Sequence, residues 1–151
     1  MKKTFLYSTL VFFVCFTIVL CGLWTKERTE YAGLENLCRY SAGRVQDRFV
    51  QYQQRGSEYD YRYGVSELVS FLNSYKLLIV ETEGQTNTNC LYLNQLIGKL
   101  MGLPSLTSDQ AGRLAEIGGL LSKDIRDETA YQKIFSLFNE LDYPDADNED
   151  A

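Results

Sequence analysis

Residues 65–82 read Val-Ser-Glu-Leu-Val-Ser-Phe-Leu-Asn-Ser-Tyr-Lys-Leu-Leu-Ile-Val-Glu-Thr. The apolar side chains recur at steps of three and four and share one face: Val65, Leu68, Val69, Leu72, Tyr75 and Ile79, with Phe71 and Leu78 widening it. This spacing matches the 3.6-residue period of an amphipathic α-helix. We therefore expect the most buried helix of the protein here, ended by Gly84.

The chain after this helix repeats the same helical pattern three times. Residues 86–89 supply cap candidates for a third helix, which carries Cys90, Leu93, Leu96, Ile97, Leu100 and Met101 and stops at Gly102-Leu103-Pro104. Thr107 and Gln110 have the spacing of a capping box, which predicts the start of a fourth helix. A fifth helix is expected over residues 127–141, because its apolar side chains again share one face.

The chain before residue 65 contains another helix and a tyrosine-rich segment. Apolar positions from residue 27 to about residue 54 recur at helical spacing, so we expect a helix there that continues from the N-terminal apolar run. Residues 55–64 contain a glycine near each end, Gly56 and Gly64, and predict a loop. The loop would carry Tyr59, Tyr61 and Tyr63 at alternate positions.

These three tyrosines are the candidate interaction loop of the protein. A tyrosine offers a broad contact area and a polar tip at a small cost in side-chain entropy, which suits protein recognition. The alternative interpretation is structural, with the three rings folded back over the end of the bundle. The sequence leaves both interpretations open.

The N-terminal residues predict a membrane anchor. Residues 4–24 contain no charged side chain, and about 20 apolar residues in a helix span a hydrocarbon core of roughly 30 Å. No small-x-small cleavage site follows, so we expect an uncleaved anchor rather than a removed signal peptide. Lipidation of Cys21 is a third alternative, although a large residue, Leu20, precedes this cysteine.

The anchor divides the chain into four predicted regions. Residues 1–3 would be cytoplasmic, residues 4–24 would cross the membrane, residues 25–143 would form the extracytoplasmic helical domain, and residues 144–151 would form a disordered acidic tail. Lys2 and Lys3 before the apolar run favour this orientation, whereas the basic residues after it oppose it. The expected fold is therefore all-α: an N-terminal transmembrane helix, a four- to five-helix bundle and an acidic tail.

Cys38 and Cys90 lie outside the anchor and form a candidate disulfide. Outside the cytoplasm they could close a loop of about 50 residues, which would add a few kcal/mol of stability. Two buried thiols on helix faces are the alternative. Without a histidine in the chain, two cysteines are too few for a structural zinc site.

The composition indicates no catalytic chemistry. The absence of histidine excludes His-dependent nucleophiles and proton shuttles, and a net charge of −5 without a basic stripe argues against nucleic-acid binding. The acidic tail lacks the glycine and the flanking helix of an EF-hand, so we expect no metal site and no cofactor. Paired carboxylates distant in the chain leave an enzyme as a minor alternative.

One part of the chain resembles a known family. Residues 92–98, followed by residues 105–110 and the helix over residues 114–125, resemble a segment of YpeB-type spore germination proteins. That family joins a short N-terminal anchor to a helical region and continues into C-terminal repeats that have no counterpart in this sequence. The resemblance implies a non-catalytic, membrane-tethered partner of an envelope enzyme.

The sequence therefore predicts a non-catalytic interaction, scaffold or accessory protein of the bacterial cell envelope. Its partner would be another protein of the membrane or the cell wall, and the oligomeric state is left open. A ligand-sensing bundle coupled to a membrane partner is the alternative from a different functional class, and a sporulation or germination accessory role is the alternative that the resemblance implies.

Overall fold

The protein is built from α-helices. The computed structural model describes residues 2–83 and 87–142, and it describes side chains for residues 12–80 and 87–141. Over these residues it contains no strand and five helices: α1 (Lys2–Arg55), α2 (Glu58–Glu83), α3 (Thr88–Gly102), α4 (Ser108–Lys123) and α5 (Glu128–Asp142). The all-α prediction is confirmed, whereas the predicted tail at residues 144–151 lies outside the described residues.

The chain divides into two compact units, Met1–Gly33 and Leu34–Ala151. In the first unit, residues 12–30 of α1 are all exposed. Among the described residues, no helix has both the length and the apolar character that a membrane crossing requires. The predicted span over residues 4–24 includes residues 4–11, whose side chains lie outside the described part of the chain.

The second unit, called the helical unit below, surrounds one apolar core. Its helices follow one another around the core in the order α1, α2, α3, α5, α4, and α4 packs back against α1. Each helix contributes fully buried large side chains, among them Phe49, Phe71, Leu78, Leu93, Leu100, Leu114, Ile117 and Ile134. The apolar face of each helix is covered by its neighbours, which is the main source of helix stability in a bundle.

The contact between α1 and α4 depends on a glycine. A Cβ atom placed on Gly118 would lie 2.6 Å from the Gln46 backbone nitrogen and 2.8 Å from the Ala42 carbonyl oxygen. Neither of these backbone atoms can move without moving α1. Gly118 therefore allows the two helix backbones to approach more closely than any side chain would permit.

The expected loop over residues 55–64 is wrong in extent, because only Gly56 and Ser57 separate α1 from α2. Gly56 ends α1 with a positive φ of 62°, a conformation that glycine adopts without strain, and its N–H donates to the Tyr52 carbonyl. Gly64 lies inside α2, where a Cβ atom would be 3.0 Å from the Phe49 ring. The second glycine marks close packing rather than a turn.

The predicted helix starts after residue 84 are confirmed. The Asn87 side chain caps α3 by accepting the Cys90 N–H at 3.1 Å. Thr107 and Gln110 form both hydrogen bonds of the capping box at the start of α4. Each cap satisfies backbone amides that have no partner within the first helical turn.

Candidate interaction surface

The helical start of α2 separates the three candidate tyrosines onto two faces. Tyr59 and Tyr63 are four residues apart, so they share a face, and their ring centroids are 5.8 Å apart. Tyr61 points the other way and is fully buried, and its hydroxyl donates to the Leu100 carbonyl on α3. Burial raises the pKa of Tyr61 above its ordinary value. The structural interpretation therefore holds for Tyr61, whereas Tyr59 is 65% exposed.

Arg44 of α1 reaches across to α2. Its Nε lies 2.9 Å from the Glu67 carboxylate, and its two terminal nitrogens donate to the hydroxyls of Tyr40 and Tyr63. The Tyr40 hydroxyl, and after it the Glu67 carboxylate, raise the pKa of Arg44, which stays charged at any physiological pH. The guanidinium thus holds the Tyr40 and Tyr63 hydroxyls in place.

Arg48 occupies the next turn of α1 and lies against both surface tyrosines of α2. Its guanidinium carbon is 4.3 Å from the Tyr63 ring centroid and 6.0 Å from that of Tyr59. The same guanidinium pairs with the buried Asp60 carboxylate at 3.4 Å and donates to the Gln51 amide oxygen at 3.0 Å. Cation–π attraction and the ion pair together fix the position of Arg48 beside the rings.

These side chains form one surface, which we call the Tyr–Arg surface: Tyr40, Arg44, Arg48, Tyr59 and Tyr63. Between Tyr40 and Gln51 the surface contains a shallow concavity of about 310 Å³. Tyr40 is 62% exposed at its edge. Both arginines are paired with carboxylates, and the exposed Asp47 also lines the concavity, so the surface presents aromatic rings in fixed positions with a small negative charge.

The two cysteines of the candidate disulfide lie in the core. Cys38 on α1 and Cys90 on α3 are both buried, and the structure holds both as thiols. Burial, and after it the Tyr75 hydroxyl, raise the pKa of Tyr131 far above its ordinary value, and Cys90 and Cys38 raise it further. Burial, and after it the Glu35 charge, raise the pKa of Cys38 to about 11. A disulfide between Cys38 and Cys90 stays a prediction, which mass analysis of the non-reduced, alkylated protein would test.

The described part of the chain contains no converging group of three acidic or cysteine side chains that would hold a metal ion. Every buried side-chain nitrogen or oxygen atom in that part has a hydrogen-bond partner.

The sequence interpretation missed the α1 half of the Tyr–Arg surface. Tyr40, Arg44 and Arg48 follow one another at steps of four, which places them on one helix face. The role of Arg48 could not be predicted from its own helix, because its partners Asp60 and Tyr63 come from α2. The spacing of the three residues was the available signal.

The resemblance to YpeB-type spore germination proteins rests on sequence alone and remains an expectation. Comparison with protein-family models, with curated proteins and with solved structures finds no match for this chain.

Proposed function

We propose that this chain is a membrane-anchored, extracytoplasmic helical protein of the bacterial cell envelope that binds another protein as a non-catalytic scaffold or accessory factor. The observation that carries the proposal is the Tyr–Arg surface. Its exposed rings are held by two arginines whose charges are already balanced within the chain.

The composition of this surface supports protein binding. Tyrosine and arginine are enriched among the residues that contribute most to protein–protein affinity, and rings held in position lose little entropy when a partner docks. Arg44 and Arg48 are paired with Glu67 and Asp60. A partner would therefore meet aromatic faces without having to neutralise a buried charge, and the exposed Asp47 carboxylate at the concavity disfavours an acidic partner at the contact.

The anchor proposal rests on the uncharged run over residues 4–24. Beyond it, the Arg28 guanidinium carbon lies 4.5 Å from the Trp24 ring centroid, an aromatic and basic combination typical of a membrane–water interface. Within the run, the Thr17 hydroxyl donates to the Phe13 carbonyl at 2.8 Å. A hydroxyl satisfied by its own helix is the arrangement that an apolar surrounding favours.

Photo-crosslinking in intact cells tests the binding surface. A benzoylphenylalanine at position 59 should give a discrete adduct, whereas the same probe at position 77 should not, because Leu77 is similarly exposed on α2 but lies outside the Tyr–Arg surface. The double variant Tyr40→Ser/Tyr59→Ser should lower the yield of a partner captured with the full chain by about tenfold or more. Equal capture by the variant and the wild type, at unchanged thermal stability, would reject the surface.

Thiol labelling in intact cells tests the anchor and its orientation. Cys38 is buried, so the probes are single new cysteines in a Cys15→Ser/Cys21→Ser background. One is Ser66→Cys, at an exposed position of α2, and the other is Lys3→Cys, before the apolar run. A membrane-impermeant maleimide should label the first and spare the second. Labelling of Lys3→Cys alone would place the helical unit inside the cell and overturn the proposed localisation.

A further inference from the structure

A groove between α3 and α5 lies outside the Tyr–Arg surface and has no role in the proposed function. Its volume is about 450 Å³, within the range of small-ligand sites, and its lining residues are Asn89, Tyr92, Glu128, Tyr131, Gln132 and Phe135. The rings of Tyr92 and Phe135 meet edge to face, with centroids 4.9 Å apart and planes at 65°. Phe135 is 43% exposed, so its ring is accessible to a ligand from the solvent side.

The polar groups of the groove carry negative charge and no positive charge. Glu128 is exposed at the first residue of α5, and no cation of the described residues lies within ion-pair distance of it. Asn89 and Gln132 add side-chain amides, and no lysine or arginine among the described residues lines the groove. An aromatic ring presents a negative face, so the rings and the carboxylate favour the same kind of guest, a cation.

An anion is the competing guest, because α3 and α5 both begin near the groove and helix N-termini attract negative charge. Both helix starts are already capped, however. Asn87 accepts the Cys90 N–H, and the Asp127 carboxylate accepts the Ala130 N–H at 2.8 Å. A bound anion would therefore have to compete with one side-chain cap at each start, and at α5 it would meet the carboxylates of Asp127 and Glu128.

The same pair of helices already holds one ammonium group against a ring. The Lys99 Nζ lies 3.5 Å from the centroid of Phe138 and donates to the Phe138 carbonyl at 3.0 Å. Phe138 is one helical turn beyond Phe135. Lys99 of α3 thus covers the ring of Phe138. Beside Tyr92 and Phe135, the space that such a cation would occupy is the groove.

We propose that this groove binds a small organic cation of the alkylammonium class. The cationic head lies against the rings of Tyr92 and Phe135 and pairs with Glu128, while the amides of Asn89 and Gln132 contact polar substituents of the ligand. The groove is open to solvent along one side, and its volume matches a small molecule rather than an extended peptide. The groove is separate from the Tyr–Arg surface, so an experiment that rejects one proposal leaves the other unaffected.

The test compares a cation with its neutral isostere. The full chain in maltoside micelles, which carry no ammonium group, is titrated with choline and with 3,3-dimethylbutan-1-ol while amide resonances are followed by NMR. Choline should shift the Asn89 and Gln132 side-chain amides with a dissociation constant on the order of 1 mM. The neutral isostere should bind about tenfold more weakly. Acetate is titrated in the same way as the competing anion. Equal binding of choline and its neutral isostere, or tighter binding of acetate than of choline, overturns the proposal.

Two variants assign the effect to the groove. Glu128→Gln removes the carboxylate but keeps the rings, so it should weaken choline binding about threefold. Glu58→Gln is the matched control, because Glu58 is likewise an exposed glutamate at the first residue of its helix, α2. Phe135→Leu keeps an apolar side chain but removes the ring, and it should also weaken binding. An unchanged dissociation constant in Glu128→Gln, or an equal loss in Glu58→Gln, rejects the site.

Discussion

The Tyr–Arg surface and the α3–α5 groove both place aromatic rings on the outside of the helical unit, but they differ in the source of positive charge. On the Tyr–Arg surface, Arg48 lies 4.3 Å from the Tyr63 ring centroid, and its charge is balanced by Asp60. In the groove, Tyr92 and Phe135 have a carboxylate beside them and no lining cation. Rings that already hold a cation offer fixed contact area to a partner, whereas rings beside an unmatched carboxylate offer a site for a ligand.

The difference originates in chain distance. Arg44 and Arg48 face Tyr59 and Tyr63 across a connection of two residues, so the cations and the rings meet within one helical hairpin. Tyr92 and Phe135 come from helices separated by the whole of α4. The arginines and tyrosines of the hairpin contact one another directly, whereas Tyr92 and Phe135 leave a groove beside them.

The largest expected effect concerns the scaffold that carries both surfaces. Gly118→Ala places a Cβ atom against the Gln46 and Ala42 backbone and should lower the free energy of unfolding by about 2 kcal/mol. Gly98→Ala on α3 is the control, because its Cβ meets no atom within 4 Å; it should raise stability by about 0.5 kcal/mol. Urea denaturation measures both values, and destabilisation of equal size in the two variants would contradict the close α1–α4 contact.

The next effect breaks the internal charge balance of the Tyr–Arg surface. Arg48→Met leaves the buried Asp60 carboxylate without its cation and should cost about 1.5 kcal/mol. Lys133→Met removes the partner of the more exposed Glu116 and should cost no more than about 0.5 kcal/mol. The comparison uses urea midpoints of the two variants at equal ionic strength. An equal loss of stability in the two variants would show that the Arg48–Asp60 pair contributes no more to stability than an exposed ion pair does.

A smaller effect separates the buried tyrosine from the exposed one. Tyr61→Phe removes the hydroxyl that donates to the Leu100 carbonyl and should lower stability by about 1 kcal/mol. Tyr59→Phe changes an exposed ring and should lie within about 0.5 kcal/mol of the wild type. Thermal unfolding of both variants measures the difference. A larger loss in Tyr59→Phe would reverse the assignment of the two faces.

The smallest effect is a pH dependence in the core beside Tyr131, a lining residue of the groove. Burial raises the pKa of Cys38 from 9.0 to about 11, so the folded chain keeps a proton that the unfolded chain releases between these values. Stability from this thiol is complete below pH 9.0 and is lost as the pH rises towards about 11. From about pH 8 to about pH 9.5 the loss should stay under about 1 kcal/mol.

Urea titrations under reducing conditions test this pH dependence, with Cys38→Ala as the control. The variant should show a smaller decrease in stability over the same pH interval than the wild type. Parallel curves for the two proteins would show that Cys38 ionises as readily in the folded chain as in the unfolded one.

Helical periodicity and capping motifs were enough to predict most of the fold. The α3 and α4 starts follow from Asn87 and Thr107, whose side chains act on neighbouring backbone amides. The interpretation failed over residues 55–64 because Gly56 and Gly64 look alike in sequence. Gly56 ends a helix and Gly64 accommodates the Phe49 ring, and only the tertiary contact distinguishes them.

The candidate sites were less predictable, for a physical reason. Alternating tyrosines suggest an extended edge, yet in a helix Tyr61 turns inward while Tyr59 and Tyr63 stay together. The groove requires α3 to pack beside α5, and no local pattern encodes which two helices of a bundle become neighbours. A carboxylate that no described cation pairs with, such as that of Glu128, becomes apparent only after the helices are assembled.

The close approach of α4 to α1 also sets an order of assembly. A short connection closes at a small entropic cost, so α1 and α2 can pair as soon as both have been synthesised. The strip of α1 around Ala42 and Gln46 is covered only by α4, whose Gly118 is synthesised much later. Until then this strip of α1 is uncovered, and a chain interrupted before α4 would expose it to aggregation and proteolysis.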